Sequence, residues 1–226
     1  MSKRDAYEMI RDMIFSNEIA PGTHLVERRL AEKLEVSRVP VREALQRLVL
    51  EGFLVHVPAK GLVTRIYEEQ ELLDLYHYRE PLEGMAARLF CQRGDEAEIQ
   101  LLEQLLVSME HQVEEGNIIA LHKNDFEFHR AIARGSRNNR LIAELYEIYQ
   151  ECLYVTKTTF AEKAKELPDD ELRTMRTDLL GEHREIHNAV AARDGDNAER
   201  EARASVRNGL NRFIRRMTAE KIDSLA

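Results

Sequence analysis

No stretch of this sequence is apolar for long enough to cross a bilayer, which sets the first boundary on what the chain can be. Its opening segment, MSKRDAYEMIRDMI, is amphipathic and lacks the apolar block of a secretory leader. Residence in the cytoplasm, with no membrane partner, is therefore expected. Cysteine is nearly missing. The two present, Cys91 and Cys152, stand far apart and fit no metal-binding spacing, so reduced, buried thiols are expected. Low-complexity tracts and internal repeats are absent. So are HExxH and any other catalytic motif, which counts against an enzyme.

What is present is 226 residues rich in helix formers, enough for one large or two modest domains that each bury a core. The net charge is −8, but it is unevenly spread. Residues 1–66 hold 11 Lys and Arg against 9 Asp and Glu, a net of +2, which leaves 22 against 32, a net of −10, for the rest. Any field that attracts a polyanion must be local to the first part, with the acidic remainder held away from it.

The first part centres on residues 27–52, ERRLAEKLEVSRVPVREALQRLVLEG. The spacing predicts two short helices joined by a tight turn. Leu30, Ala31 and Leu34 form the apolar side of the first. The second starts at Ser37, whose hydroxyl can cap free backbone amides. Pro40 falls in its first turn, where a missing N–H does little harm. Val41, Ala44, Leu45 and Leu48 make its buried stripe, and Arg38, Arg42 and Gln46 lie outward on an adjacent one. Two fork-shaped donors and an amide there suit a reader of guanine edges and phosphates in the major groove. Solvated arginines on a surface helix are the plainer alternative. The residues after the helix pair favour the reader: two β-rich runs, residues 53–57 and 62–66, flank Pro58-Ala59-Lys60-Gly61. That hairpin is a wing, and it would bring Lys60 and the Gly61 backbone against the sugar-phosphate chain or the minor groove. Upstream, residues 5–16 are expected to be helical, with Tyr7, Ile10, Met13 and Ile14 at core spacing.

From residue 68 onward the pattern is helical throughout: 68–92, 95–115, 117–134, 138–163, 170–193 and 196–222, with Pro81 dividing the first. Asn138 is placed to cap the helix after it. The expected fold is mainly α: an N-terminal winged helix–turn–helix over residues 1–66, then an all-α antiparallel bundle over 67–226. On the bundle's apolar faces Asp125 and His129 point the same way, beside Phe128 and Ile132, while His183 sits among Leu179, Leu180, Ile186 and Val190. An ionised carboxylate there needs compensation. A divalent metal of the zinc or nickel class, held by all three, would supply it; an ordinary buried Asp–His hydrogen bond is the alternative. His187 is a spare candidate. A metal-dependent hydrolase built on Asp125, His129 and His183 would also need a general base and an open coordination position.

Residues 6–66 resemble the GntR family of bacterial transcription regulators. The resemblance rests on Pro21-Gly22, Leu25, Leu30-Ala31, Val36-Ser37-Arg38, Pro40-Val41-Arg42-Glu43-Ala44-Leu45, Leu48, Glu51-Gly52 and Gly61. It implies contacts to a double-stranded DNA operator by Arg28, Ser37, Arg38, Arg42 and the wing around Gly61. Two residues depart from the family pattern. Glu35 replaces the usual turn glycine, at little cost if its φ is negative. Val39 replaces a common threonine.

Residues 72–216 resemble the FCD ligand-binding domain of FadR-type members, through Arg79-Glu80-Pro81-Leu82-Glu83, Asp125-Phe126-Glu127-Phe128-His129, Ser136-Arg137-Asn138 and Glu182-His183-Arg184-Glu185-Ile186. This resemblance implies a helical effector domain, a homodimer and, in many members, a metal held by one Asp and three His. Asp125, His129 and His183 match three of those positions. The third histidine's place falls at Gly209, with Asn208 beside it as a further candidate. Arg79 matches a cavity-facing arginine, suited to anchor a small organic acid in a bidentate fork. The implied function is a ligand-responsive regulator, more often a repressor. A regulator for which the ion itself is the signal is an alternative.

Overall fold

The computed structural model describes residues 5–160 and 168–223. Contacts divide them into two compact units, residues 5–68 with 150–160 and residues 69–149 with 168–223. Among the described residues, no helix is long and apolar enough to cross a membrane.

In the first unit, α1 (Ala6–Phe15) starts on Asp5, whose side chain accepts from Tyr7 N, and buries Ile10, Met13, Ile14 and Phe15. Tyr7 is only half-buried, because its hydroxyl donates to Glu51 Oε2 at 2.7 Å. Next come α2 (Glu27–Leu34) and α3 (Arg38–Leu50). Val41, Ala44, Leu45 and Leu48 are all buried, as their spacing predicts. The turn between these helices is tighter than expected. Glu35 has φ +55° and ψ +38°, a left-handed conformation that disfavours any residue with a Cβ. The expected saving from a negative φ is not realised.

The wing pairs β1 (Leu54–Val57) antiparallel with β2 (Gly61–Thr64), with Leu54 opposite Thr64 and Val57 opposite Gly61. The strands are shorter than the β-rich runs, and a third segment joins them. Leu25 N donates to Leu62 O at 2.8 Å, and Thr64 N donates to Thr23 O at 3.1 Å. Thr64 is buried because its hydroxyl donates to Ala20 O and accepts from Thr23 N.

The second unit contains α4 (Glu69–Arg93), α5 (Glu96–Glu115), α6 (Ile118–Gly135), the first part of α7 (Asn139–Val155), α8 (Asp169–Ala191) and α9 (Gly195–Asp223). Pro81 does not divide α4, which runs through it. Pro81 and His77 are both exposed, so the His77 carbonyl that loses its helical partner can turn to water. Asp95 and Glu98 form a capping box on α5, and the Asn138 side chain accepts from the backbone of Arg140 and Leu141, as expected. Gly135 is required by close approach: a Cβ there would lie 2.2 Å from the Phe90 ring.

The expected 138–163 helix divides. Its α-helical part ends at Val155 and is followed by a π-helical turn, Thr156–Phe160; residues 161–163 lie outside the described residues. Residues 150–160, read from sequence as part of the bundle, pack in the first unit. Tyr154 lies 5.5 Å from the Phe53 ring and 5.8 Å from Phe15, and its hydroxyl donates to Arg65 O.

Candidate nucleic-acid interface and metal centre

The start of α3 is held open to solvent. Pro40 and the buried Val41 fix its first turn, so Arg38 and Arg42 project outward, 61% and 56% exposed. Both reach the same carboxylate. Arg38 Nε donates to Glu27 Oε1 at 3.0 Å, while Arg42 donates from Nε to Oε2 and from Nη2 to Oε1, each at 3.0 Å. The Arg42 guanidinium is the main reason the Glu27 carboxyl sits below its ordinary range. Ser37 occupies the N-cap position with extended φ and ψ, but its hydroxyl makes no capping bond and stays exposed. Arg28 is exposed beside Glu32 at 3.7 Å. Gln46 is exposed, and Val39 is 60% exposed, unusual for an apolar residue. Lys60 and Gly61 stand exposed at the tip of the hairpin, and Gly61 has φ +79°. A Cβ on Gly61 would meet His24 Nε2 at 3.2 Å, so His24 also borders the wing. The sequence reading missed His24 and Glu27, which lie far along the chain from the residues they serve.

The second unit gathers Asp125, His129 and His183, with one ligand atom from each lying within 4.8 Å of the others. Both imidazoles are oriented from behind. His183 Nδ1 lies 2.7 Å from Leu179 O, so this nitrogen carries the proton and donates. His129 Nδ1 lies 3.1 Å from Glu83 Oε2 and donates likewise. Each Nε2 therefore presents a lone pair to Asp125 Oδ1, at 2.8 Å from His183 and 3.7 Å from His129. The 2.8 Å approach lacks hydrogen-bond alignment, and His183 Nε2 is buried without a hydrogen-bond partner. A lone pair facing a carboxylate is repulsive unless a cation or a proton lies between them. Where no cation is bound, a proton on Nε2 does the same work: burial raises the Asp125 carboxyl, but the protonated, charged forms of His183 and then His129 outweigh it and hold it well below the usual carboxylate range. The three residues thus fit a divalent metal through two nitrogens and one oxygen, with orienting partners behind both histidines.

Arg79 is buried. Its Nε and Nη2 both point at Glu83 Oε1, at 2.9 and 2.8 Å, and the other Glu83 oxygen holds His129. Its visible role is thus to fix the carboxylate behind the His129 imidazole. Asn208 is exposed, and its amide nitrogen donates to Glu182 Oε1. A Cβ on Gly209 would meet only Tyr76 Cε1 at 3.5 Å and Arg212 Nη2 at 3.9 Å. Arg212, clasped by both Glu182 oxygens and 22% exposed, is the cation beside that gap, close enough for Asp125 to favour its charge. His187 faces Glu103 at 3.4 Å and is not among the gathered residues.

Comparison with known proteins agrees with this division. Residues 2–63 match the family described as bacterial regulatory proteins, gntR family, and residues 74–208 match the FCD domain. The chain is 41% identical over 138 residues to the Nta operon transcriptional regulator of Aminobacter aminovorans, covering 60% of this chain and 64% of that protein. It is 31% identical over 139 residues to the HTH-type transcriptional regulator YdhC of Bacillus subtilis, covering 60% and 61%. The matches thus span less than two thirds of either relative. Among solved structures, E. coli McbR/YncC superposes with a TM-score of 0.75 at 22% identity over 94% of this chain and 96% of that one, a likeness of fold.

Proposed function

The chain belongs to the gntR family of bacterial regulatory proteins and carries an FCD domain, and from this premise we propose that it is a homodimeric DNA-binding transcriptional regulator whose helical unit senses a small organic acid. The observation that carries the DNA half is the outward pair Arg38 and Arg42 at the start of α3, with Lys60 and Gly61 on a wing. Arg28 and Ser37 complete the proposed contact set. The sensing half is supported by the buried array of Arg79, Glu83, His129, Asp125 and His183. A divalent cation held by Asp125, His129 and His183 would supply an electrophilic anchor for a carboxylate. Arg79 orients His129 through Glu83, and it can grip an acid directly only by exchanging Glu83 for the ligand. In a repressor of this kind, binding of the acid shifts the population of states and releases the operator. The hydrolase alternative falls, because both matched families and both curated relatives are regulators.

The test is enrichment from a random duplex pool by the full-length protein. A two-fold symmetric sequence is expected, with two half-sites about one helical turn apart or a multiple of it. Its affinity should change by about 5–150-fold when zinc or nickel and a panel of small carboxylic acids are added, and His183→Ala should abolish the change. Failure to enrich any sequence would overturn the regulator. A site whose affinity ignores metal and every acid would overturn the sensor.

A further inference from the structure

Val39, the second residue of α3, is 60% exposed. Single exposed apolar side chains are ordinary. What sets this one apart is its place. Val41, Ala44, Leu45 and Leu48 form the buried side of α3. At about 3.6 residues per turn, Val39 falls almost opposite the middle of that stripe, in line with Gln46 further along the helix. It therefore faces whatever the helix faces. The exposed residues around it, Ser37, Arg38, Arg42 and Glu43, all carry hydrogen-bonding side chains, and the side chain of Val39 offers neither donor nor acceptor.

In a helix–turn–helix, the N-terminal residues of the second helix are the ones that reach base edges. An isopropyl group gains nothing from a phosphate or from the donors and acceptors of a base. The major groove presents one apolar feature at its base edges, the C5-methyl group of thymine. From this match we infer that Val39 is a specificity-determining residue that reads a thymine methyl in each operator half-site, beside the contacts of Arg38 and Arg42. The inference rests on the DNA contacts of the proposed function and goes beyond them in naming a base for a side chain that makes no hydrogen bond.

The side chain suits such a contact and does little for the free fold. Branching at Cβ leaves one strongly preferred χ1 rotamer in a helix, so the two methyls are held in one direction before DNA arrives. Little freedom is then lost on binding. In the free protein the side chain faces water, and alanine is the better helix former. The thymine methyl buried against it is worth a factor of about 4 in affinity, the transfer of one methyl-sized group out of water. A two-fold site presents two such contacts, which together give about 16-fold.

The experiment uses full-length protein: wild type, Val39→Ala and Val39→Thr, each with its melting temperature. The duplex is the one that wild type enriches from a random pool. Deoxyuridine then replaces thymine at one symmetry-related pair of positions at a time. It keeps the hydrogen-bonding groups of thymine and lacks only the methyl. At one such pair, wild type should bind the deoxyuridine duplex about 16-fold more weakly. Val39→Ala, which removes both side-chain methyls, should melt no lower than wild type and lose most of that difference at that pair alone. Val39→Thr keeps one methyl and should lose less of it. A selected site with no thymine in its half-sites, or a wild type indifferent to deoxyuridine at every position, would overturn the inference and leave the arginine contacts standing. So would a methyl preference that Val39→Ala retains in full, since another residue would then be reading it. Failure to enrich any duplex would instead remove the reader itself, and the role of Val39 with it.

Discussion

Glu83 holds together the polar interior of the second unit. It is buried with Arg79 on one oxygen and His129 on the other. Burial pushes its carboxyl up, but His129 and Arg79 outweigh burial and bring it down to about 2. A depressed carboxylate stabilises the folded state fully above its ordinary value of 4.5, and that contribution is lost as pH falls toward about 2. In chelator, urea unfolding should therefore show stability falling across that acid window in wild type and less steeply in Glu83→Ala. Removing one partner of a buried pair costs about 3–5 kcal/mol, so Glu83→Ala should be destabilised by that order at neutral pH. Calorimetric zinc or nickel titration of Glu83→Gln should show affinity reduced by about 10–100-fold, the usual effect of losing an orienting partner. Unchanged affinity would mean that Glu83 does not orient a ligand. Half of this arrangement was legible in the sequence. Arg79 and Glu83 are four apart on one helix, as are Asp125 and His129. The link between Glu83 and His129 spans 46 residues and exists only once α4 and α6 pack.

Among the elements, α3 was the easiest to read, because its buried stripe and its basic stripe repeat at one helical period. The turn before it was not. The family pattern marked position 35 as a turn glycine's place, but nothing in the sequence gives the sign of its φ, and only the structure shows that Glu35 takes up the left-handed conformation. Glu35→Gly should relieve strain of about 1–2 kcal/mol, offset in part by the greater freedom of glycine in the unfolded chain. A net gain of about 1 kcal/mol in denaturant unfolding is expected; a loss would show that the Glu35 side chain stabilises the turn. Helix α7 was legible as a helix but not as a shared one. Tyr149 donates to His129 O in one unit, and Tyr154 packs on Phe15 and Phe53 in the other. Both are aromatic residues at core spacing, and spacing does not say which core. Pro81 misled in the opposite direction, since an exposed proline can persist inside a helix whose carbonyls are wetted.

Across the chain, charge and fold divide together. The mildly basic first part carries the wing and the recognition helix, and the acidic remainder carries the bundle. A net charge of −8 on the full chain therefore does not oppose the proposed DNA binding. Such binding would depend on a few local cations, and its affinity is expected to fall as salt rises. Two copies of so weakly basic a reader would gain affinity by engaging a two-fold site together. Asp125, His129 and His183 stood out in the sequence by their place on apolar helix faces, and the structure gathers them. Asn208 was named for its neighbour Gly209, and the structure gives its amide to Glu182. The measurement that decides most is the affinity of the wild-type-selected duplex for wild type, Arg38→Ala and Arg42→Ala, read by fluorescence anisotropy at matched salt with the melting temperature of each. Each substitution is expected to weaken binding by about 5–150-fold while the protein melts as wild type does. Equal affinity in all three proteins would show that the tip of α3 is not where this chain meets DNA.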